Sequence, residues 1–469
     1  MNDVCCSICG VGGEQPPARP EAKETAPVSE LTAAQQSVVT TALSYKAFDA
    51  PIPAHVMAEL DEIAAPWPGR WLLPWEEGEP ERVVELCAGA GGWGEGLKTV
   101  LGVTRFDVVG VDIDEDACAT ARAAGHVRIC ADITTLDPEH PALRCTHGVV
   151  ISPPCPSFST SGLRAGLLKA NLDILCETIS YVGEAAGFIR LDEVCCDELY
   201  PDREDDCPLC ADLGRHEGYA PRSGATWDEV RATLDGLTDP LIGLMAEVAI
   251  WPLALQAAGA PIAWMAMEQS SNLPERVLED LSLEFGCADW FRTSWAVLEA
   301  ADLGVASRRK RTFMIATRYK GVAIAPPAQT LPVTTMAEAL GWDEGERINT
   351  RGNRPVDPAT GRAKGGNCFS ADKPSWCLTG KTRTWVRERD GLRLTPAEAG
   401  TLVSFRASYP WQGSRSKRFQ QAGDVVCPAV AAYVLAVLHG IDWEPQVRDY
   451  LTGLYHYDAL WEDEYELTV

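Results

Sequence analysis

The sequence lacks three features that would narrow its class at once. It has no run of eighteen apolar residues and no charged-then-apolar leader pattern, so we expect a cytoplasmic protein with no membrane partner. It also lacks the cysteine pattern of a disulfide framework, because its 17 cysteines are scattered through apolar segments of a 469-residue chain and fit reduced thiols better. With 46% hydrophobic residues, the chain can bury one large core and one smaller core.

Positive charge is also scarce. The chain has 41 Lys and Arg against 67 Asp and Glu, for a formal net charge of −26, which argues against nucleic-acid binding by the chain as a whole. Residues 303–420, however, carry 21 Lys and Arg against nine Asp and Glu. A basic stretch is usually a solvated face, yet one this long in an acidic chain predicts a phosphate-binding surface.

A proline-stiffened loop follows one of the apolar runs. Val149–Ile151 predicts a buried parallel strand, and the sequence Ser152-Pro-Pro-Cys155 comes directly after it. The prolines fix the backbone at the carboxyl end of this strand, where open α/β sheets place their active sites. Cys155 is therefore a candidate nucleophile. From these residues alone, a buried core cysteine beside a turn is an equal alternative.

Earlier in the chain, residues 82–96 run from a strand through a glycine-rich turn into a helix. Gly89, Gly91 and Gly92 allow the backbone to approach a ligand closely, although the dinucleotide-binding spacing is matched only loosely. The next two strands end at Asp112 and Asp132, which suit a ribose and an adenine amino group. Each carboxylate alone is more typical of a solvated loop. Together, the glycine-rich turn after the first strand and the carboxylates after the next two predict an adenosine cofactor.

With these residues, the chain resembles the DNA cytosine-5 methyltransferase family. Six stretches are similar to family motifs, in family order: Glu85–Gly92, Pro154–Cys155, Glu268–Ser270 (family Glu-Asn-Val), Leu298–Arg311 (ending in an arginine pair), Leu394–Ala399 and Gly423–Pro428. The resemblance implies an α/β fold, with a Rossmann-like, mostly parallel sheet of the S-adenosylmethionine-dependent methyltransferase kind. It also implies a smaller, irregular target recognition domain.

The implied activity is methyl transfer from S-adenosylmethionine to carbon 5 of a cytosine flipped out of double-stranded DNA, by a monomeric enzyme. Cys155 would attack carbon 6 as a thiolate, because carbon 5 alone is too weak a nucleophile. Glu268 would meet ring nitrogen 3 and the amino group. Arg311 would hold the substrate end of the site and Arg309 its framework, and both guanidinium groups would favour the thiolate.

The same resemblance assigns further residues. The implied cofactor-binding residues are Leu86, Cys87, Ala88, Gly89, Gly91, Gly92, Asp112, Ile113, Asp132, Ile133, Pro154, Asp424 and Val426. The candidate DNA contacts are Ser157, Ser159, Lys381, Arg383 and Trp385, with Trp376 and Arg387 nearby. For each tryptophan, a place in the core of a small domain is the alternative.

Several supporting positions depart from the family pattern. Cys87 stands where the family has Phe, so the aromatic contact to adenine is absent there, and Ile113 could cover that ring instead. Pro156 and Ser307 stand where the family has Gln, and Asp424 stands where it has Asn. These changes leave the nucleophile, the carboxylate and the two arginines in place.

We expect five segments along the chain. They are an N-terminal extension, partly disordered (1–78); a catalytic methyltransferase domain (79–320) with an insertion at about 165–235; the target recognition domain (321–392); the C-terminal part of the catalytic domain (393–442); and an acidic tail (443–469). Within the insertion, Cys195, Cys207, Cys210 and His216 have a spacing that could bind structural zinc. Unrelated free thiols are the alternative, as they are for Cys6 and Cys9.

Other functions stay open at this point. An amino methyltransferase acting on an exocyclic nitrogen is one, since Ser152-Pro-Pro resembles the start of its motif, but that class needs an aromatic residue at position 155. A catalytically silent DNA-binding homologue is another, supported only by the altered supporting positions. An RNA substrate within the cytosine-5 family is a third.

Overall fold

The computed structural model describes residues 31–159, 164–188, 225–350, 358–359 and 367–455. The candidate zinc ligands Cys195, Cys207, Cys210 and His216 lie outside these residues, as do Cys6, Cys9 and most of the predicted acidic tail.

A seven-stranded sheet forms the centre of the protein. Its strands are β1 (Glu81–Leu86), β2 (Phe106–Asp112), β3 (Val127–Cys130), β4 (Thr146–Ile151), β5 (Trp264–Ser270), β6 (Arg292–Glu299) and β7 (Lys310–Thr317). The spatial order is β3-β2-β1-β4-β5-β7-β6, and β7 runs antiparallel to both of its neighbours. The predicted Rossmann-like, mostly parallel sheet is confirmed.

Successive side chains of each strand point to opposite faces of this sheet. Val84 and Leu86 pack into one core with Val109, whereas Val83 enters a second core with Val150. Because both faces are covered, the central strands need apolar residues on both sides. Their near-continuous runs of Val, Ile and Met follow from that requirement.

Helices form the layers on the two faces. In chain order they are α1 (Ala33–Ala47), α2 (Ala54–Ala64), α3 (Gly92–Glu95), α4 (Glu115–Ala123), α5 (Lys169–Ala186), α6 (Trp227–Ala232), α7 (Glu247–Ala257), α8 (Glu275–Cys287), α9 (Met336–Ala339), α10 (Pro396–Leu402), α11 (Arg415–Asp424), α12 (Pro428–His439) and α13 (Trp443–Tyr455). The first core contains residues of α1, α2 and α5 to α8. The second contains residues of α3 and α9 to α13.

Segments at both ends of the described chain belong to these layers. Trp67 and Trp71 follow α2, stack with ring centroids 6.1 Å apart, and lie in the same core as Val84. At the other end, Val447 and Leu451 of α13 are buried in the second core beside α12. Residues 31–78 and 443–455 therefore share the cores of the catalytic fold.

A smaller, irregular unit lies between β7 and α10. Its three strands are β8 (Arg347–Asn349), β9 (Cys368–Ser370) and β10 (Val386–Arg387), in the order β10-β8-β9. Ile348, Phe369 and Trp385 fill its interior and join the second core. This unit occupies the region predicted as the target recognition domain.

Within the described ranges, one stretch, Arg415–His439, is long and apolar enough to cross a membrane. It comprises α11 and α12, and 83% of its apolar window is buried inside the protein. Its hydrophobicity is thus accounted for by the second core.

A buried ion pair crosses three strands of the sheet. Arg128 of β3 reaches across Gly110 of β2 to Glu85 of β1, with Nη1 3.1 Å from Oε2. The same guanidinium donates to the carbonyl oxygen of Ala88 at 3.1 Å, in the glycine-rich turn. Gly110 leaves room for this contact, since a Cβ there would lie 1.5 Å from Nη1 of Arg128.

We expect Gly110→Ala to lower the free energy of unfolding by about 1–3 kcal/mol, because the added methyl group must displace a buried, paired guanidinium. The control is Gly286→Ala in α8, where a Cβ meets nothing within 4 Å. Helix propensity favours alanine there by up to ~1 kcal/mol. Urea denaturation followed by circular dichroism measures both variants. Wild-type stability of Gly110→Ala would contradict this role of the ion pair.

Candidate active site

The predicted site residues meet at one edge of the sheet. Asp112 ends β2, the loop of Cys155 follows β4, and Glu268 lies near the end of β5. These strands are parallel to β1, so their carboxyl ends and the glycine-rich turn share this edge. Because β7 runs the other way, its first residues lie there too, and Arg311 is in register with Ser270.

The Asp112 carboxylate shapes the glycine-rich turn after β1. Its Oδ2 accepts a hydrogen bond from the N–H of Gly89 at 2.7 Å, and its Oδ1 accepts one from Asp114 at 2.8 Å. Gly89 has a φ of 52°, and a Cβ there would meet nothing within 4 Å. Gly92 packs tightly instead, since its Cβ would lie 2.1 Å from the carbonyl oxygen of Val426. The turn therefore presents an open cradle on one side and is supported on the other.

Two predicted cofactor residues frame this cradle. Ile113 is 69% exposed directly after β2. Asp132 follows β3, where its Oδ1 accepts hydrogen bonds from the N–H and hydroxyl of Thr134 at 2.9 and 2.8 Å. Ile133 is buried beside it. An exposed apolar side chain near two carboxylates fits an adenosine group, which has apolar ring faces and polar edges.

Leu86, Cys87 and Ala88 form the base of the turn. Leu86 and Ala88 are buried, whereas Cys87 has a positive φ of 49°. Burial is the main cause that raises the pKa of the Cys87 thiol well above its usual range, and the Asp112 carboxylate adds to it. Cys87 is therefore a neutral wall residue, and its thiol is unsuited to nucleophilic attack.

The loop of Cys155 is held by side chains from two other elements. Gln269 of β5 donates from Nε2 to the carbonyl oxygen of Pro153 at 3.0 Å. Trp93 of α3 donates from Nε1 to the hydroxyl of Ser152 at 2.8 Å. Neither partner was singled out for this role from the sequence, because the contacts join residues far apart along the chain.

Glu268 is buried beside two guanidinium groups. Its Oε1 lies 3.0 Å from Nε of Arg311 and 3.8 Å from Nη2 of Arg309. At these positions Oε1 makes no well-directed hydrogen bond to either arginine. The carboxylate is thus held between two positive charges.

Arg309 is anchored to the end of α11. Its Nη1 donates to the carbonyl oxygen of Gly423 at 2.5 Å, and its Nη2 donates to that of Asp424 at 3.0 Å. Carbonyl groups at the C-terminal end of a helix carry partial negative charge, which favours a cation there. Arg309 therefore links the Gly423–Pro428 motif directly to Glu268.

Burial and charge compete at the Cys155 thiol. Burial raises the pKa of Cys155 above its ordinary value, against the lowering effect of Arg311, and the Glu268 carboxylate raises it further. Burial likewise raises the pKa of Glu268, against the two arginines. A proton on Glu268 removes a negative charge near Cys155. Protonation of Glu268 and ionisation of Cys155 therefore favour each other.

Two of the predicted DNA contacts are buried. The side chain of Ser157 is fully buried and donates to Asp239 at 2.6 Å. Trp385 lies in the core of the small unit, edge to face with Phe369 at 5.2 Å between ring centroids. Neither side chain is presented to a nucleic acid in this structure. For Trp385, the core position is the alternative that the sequence had left open.

The other candidates lie nearer the surface. Lys381 is exposed, while Arg383 and Ser159 are half-buried. Trp376 stacks on Phe369 with an interplanar angle of 17° and is 38% exposed, so it is partly open to a further ring. These residues are the better candidates for contact with a nucleic acid.

A metal ion needs a set of several ligand side chains. No group of three or more His, Cys, Asp or Glu that could hold a metal ion occurs in the part of the chain that the structure describes. The predicted zinc site lies outside that part and stays a prediction.

Residues 81–186 match the family model of the C-5 cytosine-specific DNA methylases. Among curated proteins, the chain is similar to the type II methyltransferase M1.HphI of Haemophilus parahaemolyticus, with 25% identity over 171 residues. That alignment covers 30% of this chain and 46% of the relative, so the match spans about half the length of the relative.

Solved structures with a similar fold include a mutant of DNMT2 from Spodoptera frugiperda. It has 14% sequence identity and a TM-score of 0.44, and the match covers 76% of this chain and 99% of that one. Another is a putative DNA modification methyltransferase encoded within an E. coli prophage, with 15% identity and a TM-score of 0.45 over 77% and 99%.

The matched residues 81–186 carry both the glycine-rich turn and the loop of Cys155. The family model therefore agrees with the first two of the six motifs, Glu85–Gly92 and Pro154–Cys155. Residues 81–186 of this chain are thus similar to the C-5 cytosine-specific DNA methylases.

Proposed function

We propose that this protein transfers a methyl group from S-adenosylmethionine to carbon 5 of a cytosine flipped out of double-stranded DNA. The main support is the meeting of Cys155, Glu268, Arg309 and Arg311 at one edge of the sheet, from three different strands or their loops. We also propose that it acts as a monomer in the cytoplasm.

The chemistry begins with the Cys155 thiolate. It forms a bond to carbon 6 of the ring, and the electron pair of the 5,6 double bond moves into the ring. Protonated Glu268 donates its proton to nitrogen 3, which neutralises the developing charge. Carbon 5 then takes the electrophilic methyl group that S-adenosylmethionine supplies. Loss of the carbon 5 proton to solvent restores the double bond and expels Cys155 as a thiolate, and nitrogen 3 returns its proton to Glu268.

The two arginines have separate tasks in this scheme. Arg311 retains 15% side-chain exposure and lies at the open side of Glu268, where it can offset the thiolate charge and meet the substrate. Arg309 is buried and fastened to the carbonyl oxygens of Gly423 and Asp424, so it fixes Glu268 in place.

The cradle at the glycine-rich turn would hold S-adenosylmethionine. Asp112 would bind the ribose hydroxyl groups, Ile113 would cover a face of the adenine ring, and Asp132 would accept a hydrogen bond from its amino group. Gly89 leaves the space that the cofactor needs, since a Cβ there would point into open space.

The basic region supplies the surface for the polynucleotide. Residues 303–420 contain both Arg311 and the small unit, so the excess positive charge borders the site of Cys155. A cytosine stacked in a duplex must be flipped out to reach that thiol. An RNA cytosine is the second candidate substrate, because an unpaired base could reach the same thiol without that cost.

We expect wild-type protein to form a covalent complex with duplex DNA containing 5-fluorocytosine when S-adenosylmethionine is present. Fluorine at carbon 5 cannot leave as a cation, so the adduct to Cys155 persists. Cys155→Ala should neither trap the DNA nor transfer labelled methyl groups, whereas Cys287→Ala in α8 should behave as wild type. Denaturing gels and methyl-group counting provide the two measurements.

The same assay with 5-fluorocytosine in structured RNA separates the two substrates. Trapping of RNA alone would move the proposal to RNA. Methylation of DNA by Cys155→Ala at the wild-type rate would rule out the covalent mechanism altogether.

Arg311 and Glu268 should shift the reactivity of Cys155 in opposite directions. Arg311→Gln removes a charge that lowers the pKa of the thiol, so the thiolate fraction at pH 8 falls. Glu268→Gln removes a charge that raises it, so that fraction increases. Because one pKa unit changes the thiolate fraction about tenfold below the pKa, we expect changes of roughly threefold to tenfold in alkylation rate.

Iodoacetamide labelling of the Cys155 peptide, quantified by mass spectrometry between pH 7 and 10, measures this effect. In wild type the labelling rate should rise with pH across the neutral range, since the raised pKa keeps the thiol protonated there. Both variants should lose methyl transfer. Slower labelling in both would contradict the opposing charge effects.

The cofactor cradle is tested by calorimetry with S-adenosylmethionine. Asp112→Ala should weaken binding by about tenfold or more, because it removes the ribose contact and the support of the Gly89 N–H. Ile113→Phe should strengthen binding, since an aromatic ring covers more of the adenine. Exposed Glu115 provides the control as Glu115→Ala. Unchanged affinity of Asp112→Ala would place the cofactor elsewhere.

A further inference from the structure

A segment outside all six family motifs is hydrogen-bonded to the loop of Cys155. Ser157 lies two residues after the cysteine, is fully buried, and donates from Oγ to Oδ2 of Asp239 at 2.6 Å. The other carboxylate oxygen of Asp239 accepts a hydrogen bond from the N–H of Leu241 at 3.1 Å. Asp239 is thereby fixed at the start of the 3₁₀ helix Pro240–Met245.

The neighbouring residue fastens the far end of the same loop. Asn171 of α5 donates from Nδ2 to the carbonyl oxygen of Ala165 at 2.8 Å and to the hydroxyl of Thr238 at 2.7 Å. The N–H of Thr238 donates back to Oδ1 of Asn171 at 3.2 Å. The pair Thr238–Asp239 therefore touches the loop where it leaves the nucleophile and where it enters α5.

The end of the 3₁₀ helix meets Gln269, which holds the chain just before Cys155. The Nε2 of Gln269 lies 3.4 Å from Sδ of Met245 and donates to the carbonyl oxygen of Pro153. Gln269 is also the immediate neighbour of Glu268. Residues 238–245, which we call the brace, thus connect to the chain before Cys155, after it, and beside Glu268.

The hydrogen bond from Ser157 to Asp239 is the strongest link in the brace. A hydroxyl donating to a carboxylate makes a short, charge-assisted hydrogen bond, of which 2.6 Å is typical. Because Ser157 is buried, loss of the acceptor would leave its hydroxyl without a partner. The loop would then shift to satisfy that group, and the thiol two residues away would shift with it.

We propose that Asp239 is a positioning residue that holds Cys155 at the distance and direction needed for attack on carbon 6. This inference rests on the proposed covalent mechanism. Asp239 lies between α6 and the 3₁₀ helix Pro240–Met245, outside the family motifs. Through its bond to Ser157, this segment supports the loop of Cys155.

The experiment compares Ser157→Ala, Asp239→Ala and the double variant in the trapping assay with 5-fluorocytosine DNA. Displacement of a nucleophile by about 1 Å can cost up to a hundredfold in rate, so we expect trapping to slow roughly tenfold to a hundredfold. The double variant should be no slower than the worse single variant, because both changes remove one interaction. Asp239→Asn keeps one carbonyl oxygen as acceptor and should lie between wild type and Asp239→Ala.

Asp235→Ala is the matched control, because Asp235 is an exposed carboxylate four residues earlier on the same segment. It should trap DNA at the wild-type rate. A positioning role further requires that Asp239→Ala leave the dissociation constant for S-adenosylmethionine and the KM for DNA within about twofold, so that the loss falls on kcat. A proportional loss of cofactor binding would show a general structural defect and overturn the proposal.

Alkylation of Cys155 without substrate separates this inference from the proposed function. A displaced loop changes the surroundings of the thiol, so Asp239→Ala should alter the labelling rate of the Cys155 peptide severalfold. If wild type traps DNA and Asp239→Ala traps it equally fast, the inference about Asp239 is wrong and the proposed function stands. Wild type that traps no substrate overturns the proposed function. In that case the labelling rate of the Cys155 peptide still tests the inference about Asp239. A labelling rate in Asp239→Ala equal to that of wild type would overturn it.

Discussion

A buried carboxylate needs compensating positive charge. Glu268 is such a carboxylate, and several elements of this protein are placed so that they supply that charge. Removing one partner of a buried ion pair typically costs several kcal/mol, so Glu268 depends on Arg309 and Arg311 beside it. Both arginines reach it because β7 runs antiparallel and starts at the edge where β5 ends. Arg309 in turn depends on the last carbonyl groups of α11. That helix end abuts the small unit so closely that a Cβ on Gly423 would lie 2.7 Å from Cα of Thr379. The charge requirement of one side chain thus fixes the small unit relative to the catalytic edge.

In the proposed mechanism, the same charges make the Cys155 thiol reactive only when the substrate is bound. Burial keeps Cys155 protonated, and the Glu268 carboxylate reinforces this effect. Burial also makes Glu268 a readier proton holder than an exposed carboxyl group. A cytosine ring that takes a hydrogen bond from protonated Glu268 would find the opposing charge near Cys155 already removed. Proton donation to the substrate and activation of the nucleophile are then two results of one change in charge, which links binding to reactivity.

The sequence predicts the parts of this arrangement that depend on strand ends. Asp112, Cys155 and Glu268 each follow or end an apolar run, and parallel strands bring their carboxyl ends to one edge whatever the connecting loops do. The supporting contacts could not be predicted in this way. Trp93 meets Ser152, and Gln269 meets Pro153, through side-chain directions that no local spacing encodes. Ser157 shows the same limit, since a serine beside a nucleophile suggests an exposed polar group until the position of Asp239 is known.

Two of the departures from the family pattern, Pro156 and Gln269, lie where the brace meets the loop of Cys155. Pro156 stands between the cysteine and Ser157, and its ring fixes φ at the point where the chain turns towards Asp239. Gln269 replaces the shorter Asn of the family, and its amide group reaches both the Pro153 carbonyl oxygen and Met245 of the brace. The longer Gln side chain carries its amide group further from the backbone, and Met245 of the brace lies where that group can contact it. In the proposed mechanism, Pro156, Gln269 and the brace together hold Cys155 in place.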